Sequence, residues 1–190
     1  MGAIVGVTEH GNSAFLVTIA EGVLLDRRCV DLTQGLPTHP YHHEGSWAIG
    51  RYAGSARAKP TTLEDALALI TRVHAAAETG AAAALTALAS ALAAPVTAIA
   101  IRQCPALPES VVERITNTRA NSMADSIMYR QALAKAALER GWRVSWYDRE
   151  RVLAAPDVKA QVAALGRRAG PPWQAAHKLA ATAAIMAARA

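Results

Sequence analysis

The chain has little of several things that would otherwise decide its class. Phenylalanine occurs once, and tryptophan and tyrosine four times each, in 190 residues. A core built on aromatic stacking is thereby excluded, and alanine must carry much of the packing. The two cysteines, Cys29 and Cys104, are far apart, which suits buried free thiols better than a disulfide framework. No apolar run reaches the roughly 20 residues that span a bilayer. The start has neither the basic region nor the long apolar core of a signal peptide, so a cytoplasmic protein with no membrane contact is expected. The P-loop, the dinucleotide-binding glycine fingerprint and the Gly-x-Ser-x-Gly elbow are all missing, which leaves P-loop hydrolysis and serine-hydrolase chemistry without support. After Asp157 there is no acidic residue at all.

What is present is 52% hydrophobic residues, enough for a sizeable core in a single domain over 1–190. The net charge of +5 is unevenly placed. Residues 1–148 carry 13 basic and 13 acidic side chains, whereas 149–190 carry 7 basic and 2 acidic. Such an asymmetry marks either a polyanion surface or a solvated basic helical face.

The apolar run 3–9, AIVGVTE, reads as a buried strand carrying one carboxylate, and Gly11-Asn12-Ser13 supplies turn chemistry. Residues 14–20 form a second strand, closed by Glu21-Gly22, and 23–32 a third, whose polar sequence suits an edge. Prolines and glycines then mark a long connection over 33–60. A threonine cap at 61–62 opens a helix, which Gly80 is expected to break or bend, with a second alanine-rich segment over 81–94. A short strand over 96–101, a helix over 121–140, a strand over 142–147, a helix over 149–165 broken at Pro156, a loop over 166–172 and a terminal helix over 174–190 complete the order.

Three meandering strands followed by helix-separated strands imply an α/β fold with a mixed five-stranded sheet and helices on both faces. In this order of elements the chain resembles the ribonuclease H-like superfamily. Its size and long alanine-rich terminal helix look most like the RuvC-type resolvase branch. The resemblance implies a nuclease in which acids on the first strand, a helix or nearby loop, the fourth strand and the terminal helix hold Mg²⁺ or Mn²⁺. On that pattern Glu9 is the first-strand ligand, although Thr8 is its neighbour and a shift of one residue changes the face used. Glu64, at the start of the first long helix, is the candidate second acid, or a capping-turn acid only. His177, in the terminal helix, would be a metal ligand or proton carrier in place of the missing acids, or an incidental histidine. The fourth strand departs from the pattern, ending in Arg102-Gln103 where an acid is wanted.

Arg149, Arg151, Lys159, Arg167, Arg168 and Lys178 are candidate phosphate contacts, with Trp173 as a stacking surface. Asp125, Tyr129 and Arg130 give one helix an unusual polar density that buried hydrogen bonding explains better than catalysis. His39, His42, His43 and Glu44 cluster in the long connection, but adjacent histidines in a Pro/Gly-rich loop seldom converge on one ion. Two function classes follow: a metal-dependent nuclease acting on structured nucleic acid, or a binding or assembly module of the same fold with an incomplete acidic site. An actin-like phosphotransfer domain shares the opening strands but needs a second domain for which there is little room. Alanine-rich helical faces also suit a homodimer.

Overall fold

The computed structural model describes residues 2–42 and 61–189. Five strands form one mixed sheet in the order β3-β2-β1-β4-β5. They are β1 (Ala3–His10), β2 (Ser13–Ala20), β3 (Val23–Asp31), β4 (Val96–Arg102) and β5 (Arg143–Tyr147). The first three are an antiparallel meander, and β4 and β5 join parallel to β1 and to each other. The tight turns fall where expected, at Gly11 and Gly22, both with positive φ. The polar strand β3 is indeed an edge. Cys29 and Cys104 are both free thiols, but Cys29 is exposed and not buried as expected, because β3 has no strand paired beyond it.

Among the described residues six α-helices cover the two faces: α1 (Leu63–Ser90), α2 (Val111–Thr116), α3 (Thr118–Glu139), α4 (Arg149–Leu153), α5 (Lys159–Ala169) and α6 (Ala175–Ala188). Odd-numbered side chains of β1, such as Val5 and Val7, join a core with Ile70, Val73 and Leu85 of α1 and Met128 and Tyr129 of α3. Even-numbered Ile4 joins the opposite core with Val162 and Leu165 of α5 and Ala180, Ala184 and Ile185 of α6. The alternation of a strand buried on both faces thus assigns α1 to α3 to one side and α4 to α6 to the other.

Several sequence expectations change. Gly80 does not break α1, which runs unbroken through it. A β-carbon there would come within 2.1 Å of the Leu32 carbonyl oxygen, so the glycine serves the approach of the helix to the chain leaving β3. The short α2, capped by Ser110, precedes α3, which starts earlier than expected because Asn117 accepts from the amides of Arg119 and Ala120. Helix α5 passes through Gly166 to end at Gly170, whose φ is positive. The alanine faces of α1 and α6 are largely buried within the chain, Ala77 and Ala81 on one and Ala180, Ala181 and Ala184 on the other.

The position of α6 depends on Gly6. A β-carbon at Gly6 would lie 1.8 Å from the Ala180 carbonyl oxygen and 3.0 Å from the Ala184 amide nitrogen, so helix backbone rests almost directly on strand backbone. Backbone cannot yield as a flexible side chain can. Gly6→Ala is expected to lower stability by about 2 kcal/mol or more, read as a fall in the urea midpoint with m unchanged, whereas Gly35→Ala, where no atom lies within 4 Å of the added carbon, acts only through its positive φ and costs less.

Candidate functional site

The carboxyl ends of β1, β4 and β5 meet the start of α6. In the parallel ladder Gly6 pairs with Ala100, so Thr8 and Arg102, two residues further along each strand, are level neighbours on the α6 face. Phe15 pairs with Thr8 across β2, and Tyr147 with Arg102 across β5. With Arg149, Leu153, Ala175, Ala176 and Leu179, and with Glu9 and His10 at the rim, these residues line a cavity of about 550 Å³. A second cavity of about 560 Å³ lies alongside, and Arg102 and Arg149 line both. The Tyr147 hydroxyl donates to the Val7 carbonyl at 2.8 Å. Burial pushes it up to about 12, an effect partly offset by the Thr8 hydroxyl beside it, so at neutral pH it is a fixed neutral wall of the site.

Glu9 points the other way. It pairs with Ala14, a residue of the α1/α3 core, and its carboxylate meets the guanidinium of Arg130 from α3. Nε lies 2.7 Å and Nη2 2.5 Å from Oε1. Both side chains are only 5% exposed. Arg130 also donates to the Gln103 carbonyl at 3.1 Å and to Ser126 Oγ at 3.4 Å. A buried carboxylate is tolerable only with such a counter-charge, and one so held is committed.

The other expected site residues scatter. Glu64 is exposed in the first turn of α1 and lines neither cavity. His177 is buried on the α6 face, edge-on to Phe15 and stacked on Trp173 at 5.8 Å, so the sheet separates it from Glu9. Its Nδ1 accepts from the Gln174 amide in a capping box. Burial, with the nearby Arg27 cation, lowers its pKa. Trp173 fills the space above Gly166 and is not open on both faces. Arg27 donates to the carbonyls of Gly170, Pro171 and Pro172, fixing the loop that leads into α6. Arg167, Arg168 and Lys178 are exposed near that entry, whereas Arg151 lines a third, smaller cavity. Asp125 accepts from the Tyr41 amide and faces His39, and the Tyr129 hydroxyl donates to the Thr38 carbonyl. The polar density of α3 therefore ties down the chain before residue 43. Of the histidine cluster, His43 and Glu44 lie outside the described residues.

Mg²⁺ and Mn²⁺ need several convergent hard oxygens. Here the α6 face offers Thr8 between Phe15 and Arg102, and Glu9, which reaches only the rim of the cavity, turns its carboxylate to Arg130 on the other face. Among the described residues no group of three or more His, Cys, Asp or Glu side chains is placed to hold a metal. The residues present do not fit a two-metal centre. Arg102, missed as a site residue, was legible only as the departure from an acidic pattern.

Two outcomes test this geometry. Arg130→Met strands the buried Glu9 carboxylate and should cost about 3 to 5 kcal/mol, while Glu9→Gln with Arg130→Met recovers most of it, measured by urea unfolding. His177 is held neutral in the folded chain, so between its ordinary value of 6.5 and its lowered folded value the unfolded state alone takes up a proton. Stability should fall as pH drops below about 6.5, and His177→Gln, titrated in parallel, should flatten that fall.

No protein-family model matches the chain, and neither does any curated protein sequence. Among solved structures it is similar to T. thermophilus RuvC in complex with a Holliday junction substrate, at 17% identity and a TM-score of 0.52, covering 99% of this chain and 93% of that one. A second Thermus thermophilus RuvC structure aligns at 17% identity with a TM-score of 0.48, over 98% of this chain and 93% of that one. The expected architecture is thus found nearly end to end: the chain has the ribonuclease H-like fold in its RuvC form.

Proposed function

We propose that this chain binds a structured, branched nucleic acid at the carboxyl end of its sheet, and that it does so without two-metal cleavage. The observation that carries the reading is the buried Glu9–Arg130 pair. It removes from metal binding the one acid of β1 and leaves that end of the molecule with Arg102 and Arg149 facing the cavities. Exposed Arg167, Arg168 and Lys178 extend the positive charge around the entry to α6, the distribution that attracts a phosphate backbone. The substrate class is suggested by the RuvC structure that carries a Holliday junction.

Mg²⁺- or Mn²⁺-dependent endonuclease activity, which the resemblance implies, requires more. Arg130 would have to release Glu9, and further carboxylates would have to enter a face where Thr8 and Arg102 now stand. The binding module with an incomplete acidic site is therefore the reading the geometry favours.

Fluorescence anisotropy with a labelled four-way DNA junction and a duplex of equal length tests it. The expected outcome is junction binding of equal strength in EDTA and in Mn²⁺, falling steeply with salt, with no cleavage in either. Mn²⁺-dependent cutting that Glu9→Ala abolishes would establish the nuclease instead.

A further inference from the structure

Among the described residues Arg102 has no counter-charge. It ends the buried strand β4, is itself partly buried, and among the described residues neither accepts an ion pair nor donates a side-chain hydrogen bond. Its strand neighbour Tyr147 is buried, with its hydroxyl spent on the Val7 carbonyl. Among the described residues the other cation on both cavities, Arg149, has only Glu150 at 3.3 Å, an adjacent side chain that is 80% exposed, and such a contact holds little. The two acids that line the second cavity do not change this balance. Asp148 is occupied, its Oδ1 accepting from the Arg151 amide and its Oδ2 from Gln103 Nε2, and Glu150 is the solvent-exposed partner just named. Glu9, at the rim of the first cavity, is neutralised by Arg130. A partly desolvated guanidinium left unpaired is costly unless an external anion completes it, and its planar fork matches a phosphate better than any other common side chain does.

We infer that Arg102, assisted by Arg149, is a phosphodiester-binding clamp of this chain, supplying from the protein the positive charge that a bound metal would otherwise provide on that face of the sheet. The inference rests on the nucleic-acid reading above and names the atoms that hold the backbone. Thr8 beside Arg102 leaves room for the phosphate, since an acid at that place would repel it. The aligned α6 entry, fixed by Arg27 and by the capping box of Gln174 and His177, forms the opposite wall through Ala175 and Ala176. The site is rigid on both sides, so little ordering is needed when a phosphate enters.

The test is anisotropy of the labelled four-way junction, in EDTA, against the natural chain, Arg102→Gln, Arg149→Gln and a control, Arg72→Gln, on the exposed face of α1. Arg102→Gln should weaken binding about tenfold and reduce the slope of log affinity against log salt by about one, while the control matches the natural chain. Should Arg102→Gln fail to fold by circular dichroism, Arg149→Gln, on an exposed side chain, carries the same test with a smaller loss. Binding by the natural chain with unchanged affinity and slope in both arginine variants would overturn the clamp and leave the nucleic-acid reading standing. Failure of the natural chain to bind any nucleic acid would overturn both. Titration calorimetry with inorganic phosphate separates the two sources of the anion: Arg102-dependent heat without junction binding would assign the site to a soluble phosphate and overturn the backbone assignment.

Discussion

Successive side chains of a strand leave opposite faces of the sheet, and at the end of β1 this rule decides the chemistry. Thr8 falls on the face covered by α6 and Glu9 on the face covered by α1 and α3. The parity is locked by Gly6, over which the backbone of α6 lies too closely for any side chain. A slip of one residue would bring Glu9 under α6, but it would also drive Val5 and Val7 out of their core and a side chain into the α6 backbone. The acid is therefore held on the wrong face for the terminal helix, and α3 supplies the cation that makes its burial tolerable.

That pairing reshapes the electrostatics of the whole carboxyl end. With Glu9 satisfied internally, the cavities on either side of Arg102 have an excess of guanidinium over available carboxylate. The entry to α6 adds exposed basic side chains, and its own histidine is spent on holding the helix cap and the Trp173 stack. This end of the sheet therefore presents a cationic centre. Recognition of an anion follows from this arrangement more directly than hydrolysis of one.

Much of the fold was legible because its signals are local. Apolar β-branched runs, the turns at Gly11 and Gly22 and the threonine cap of α1 marked the five strands, their succession along the chain and the sheet's mixed character. Glycine was the weak point, since Gly80 and Gly166 inside helices look like breaks in one dimension and are close approaches to Leu32 and Trp173 in three. The short α2 was missed because six residues leave no periodicity to read. At the site, Glu9 and His177 were visible as residue types, but their roles were not. The partner of Glu9 lies 121 residues away, and the polar density around Arg130 gave no sign of which buried group it served. The Arg102-Gln103 end of β4 looked like a flaw in an acidic pattern, whereas in the folded chain it is the feature that gives the site its charge.

Anion binding without a metal centre depends on Glu9 remaining bound to Arg130 when a divalent metal is offered. A crystal structure of the protein grown in Mn²⁺, with anomalous data collected at the manganese edge, tests this most directly. The expected result is an intact Glu9–Arg130 contact and no anomalous peak within coordinating distance of Glu9, Thr8 or Arg102. A peak bound by Glu9, with Arg130 swung away, would contradict it and restore the metal-dependent nuclease.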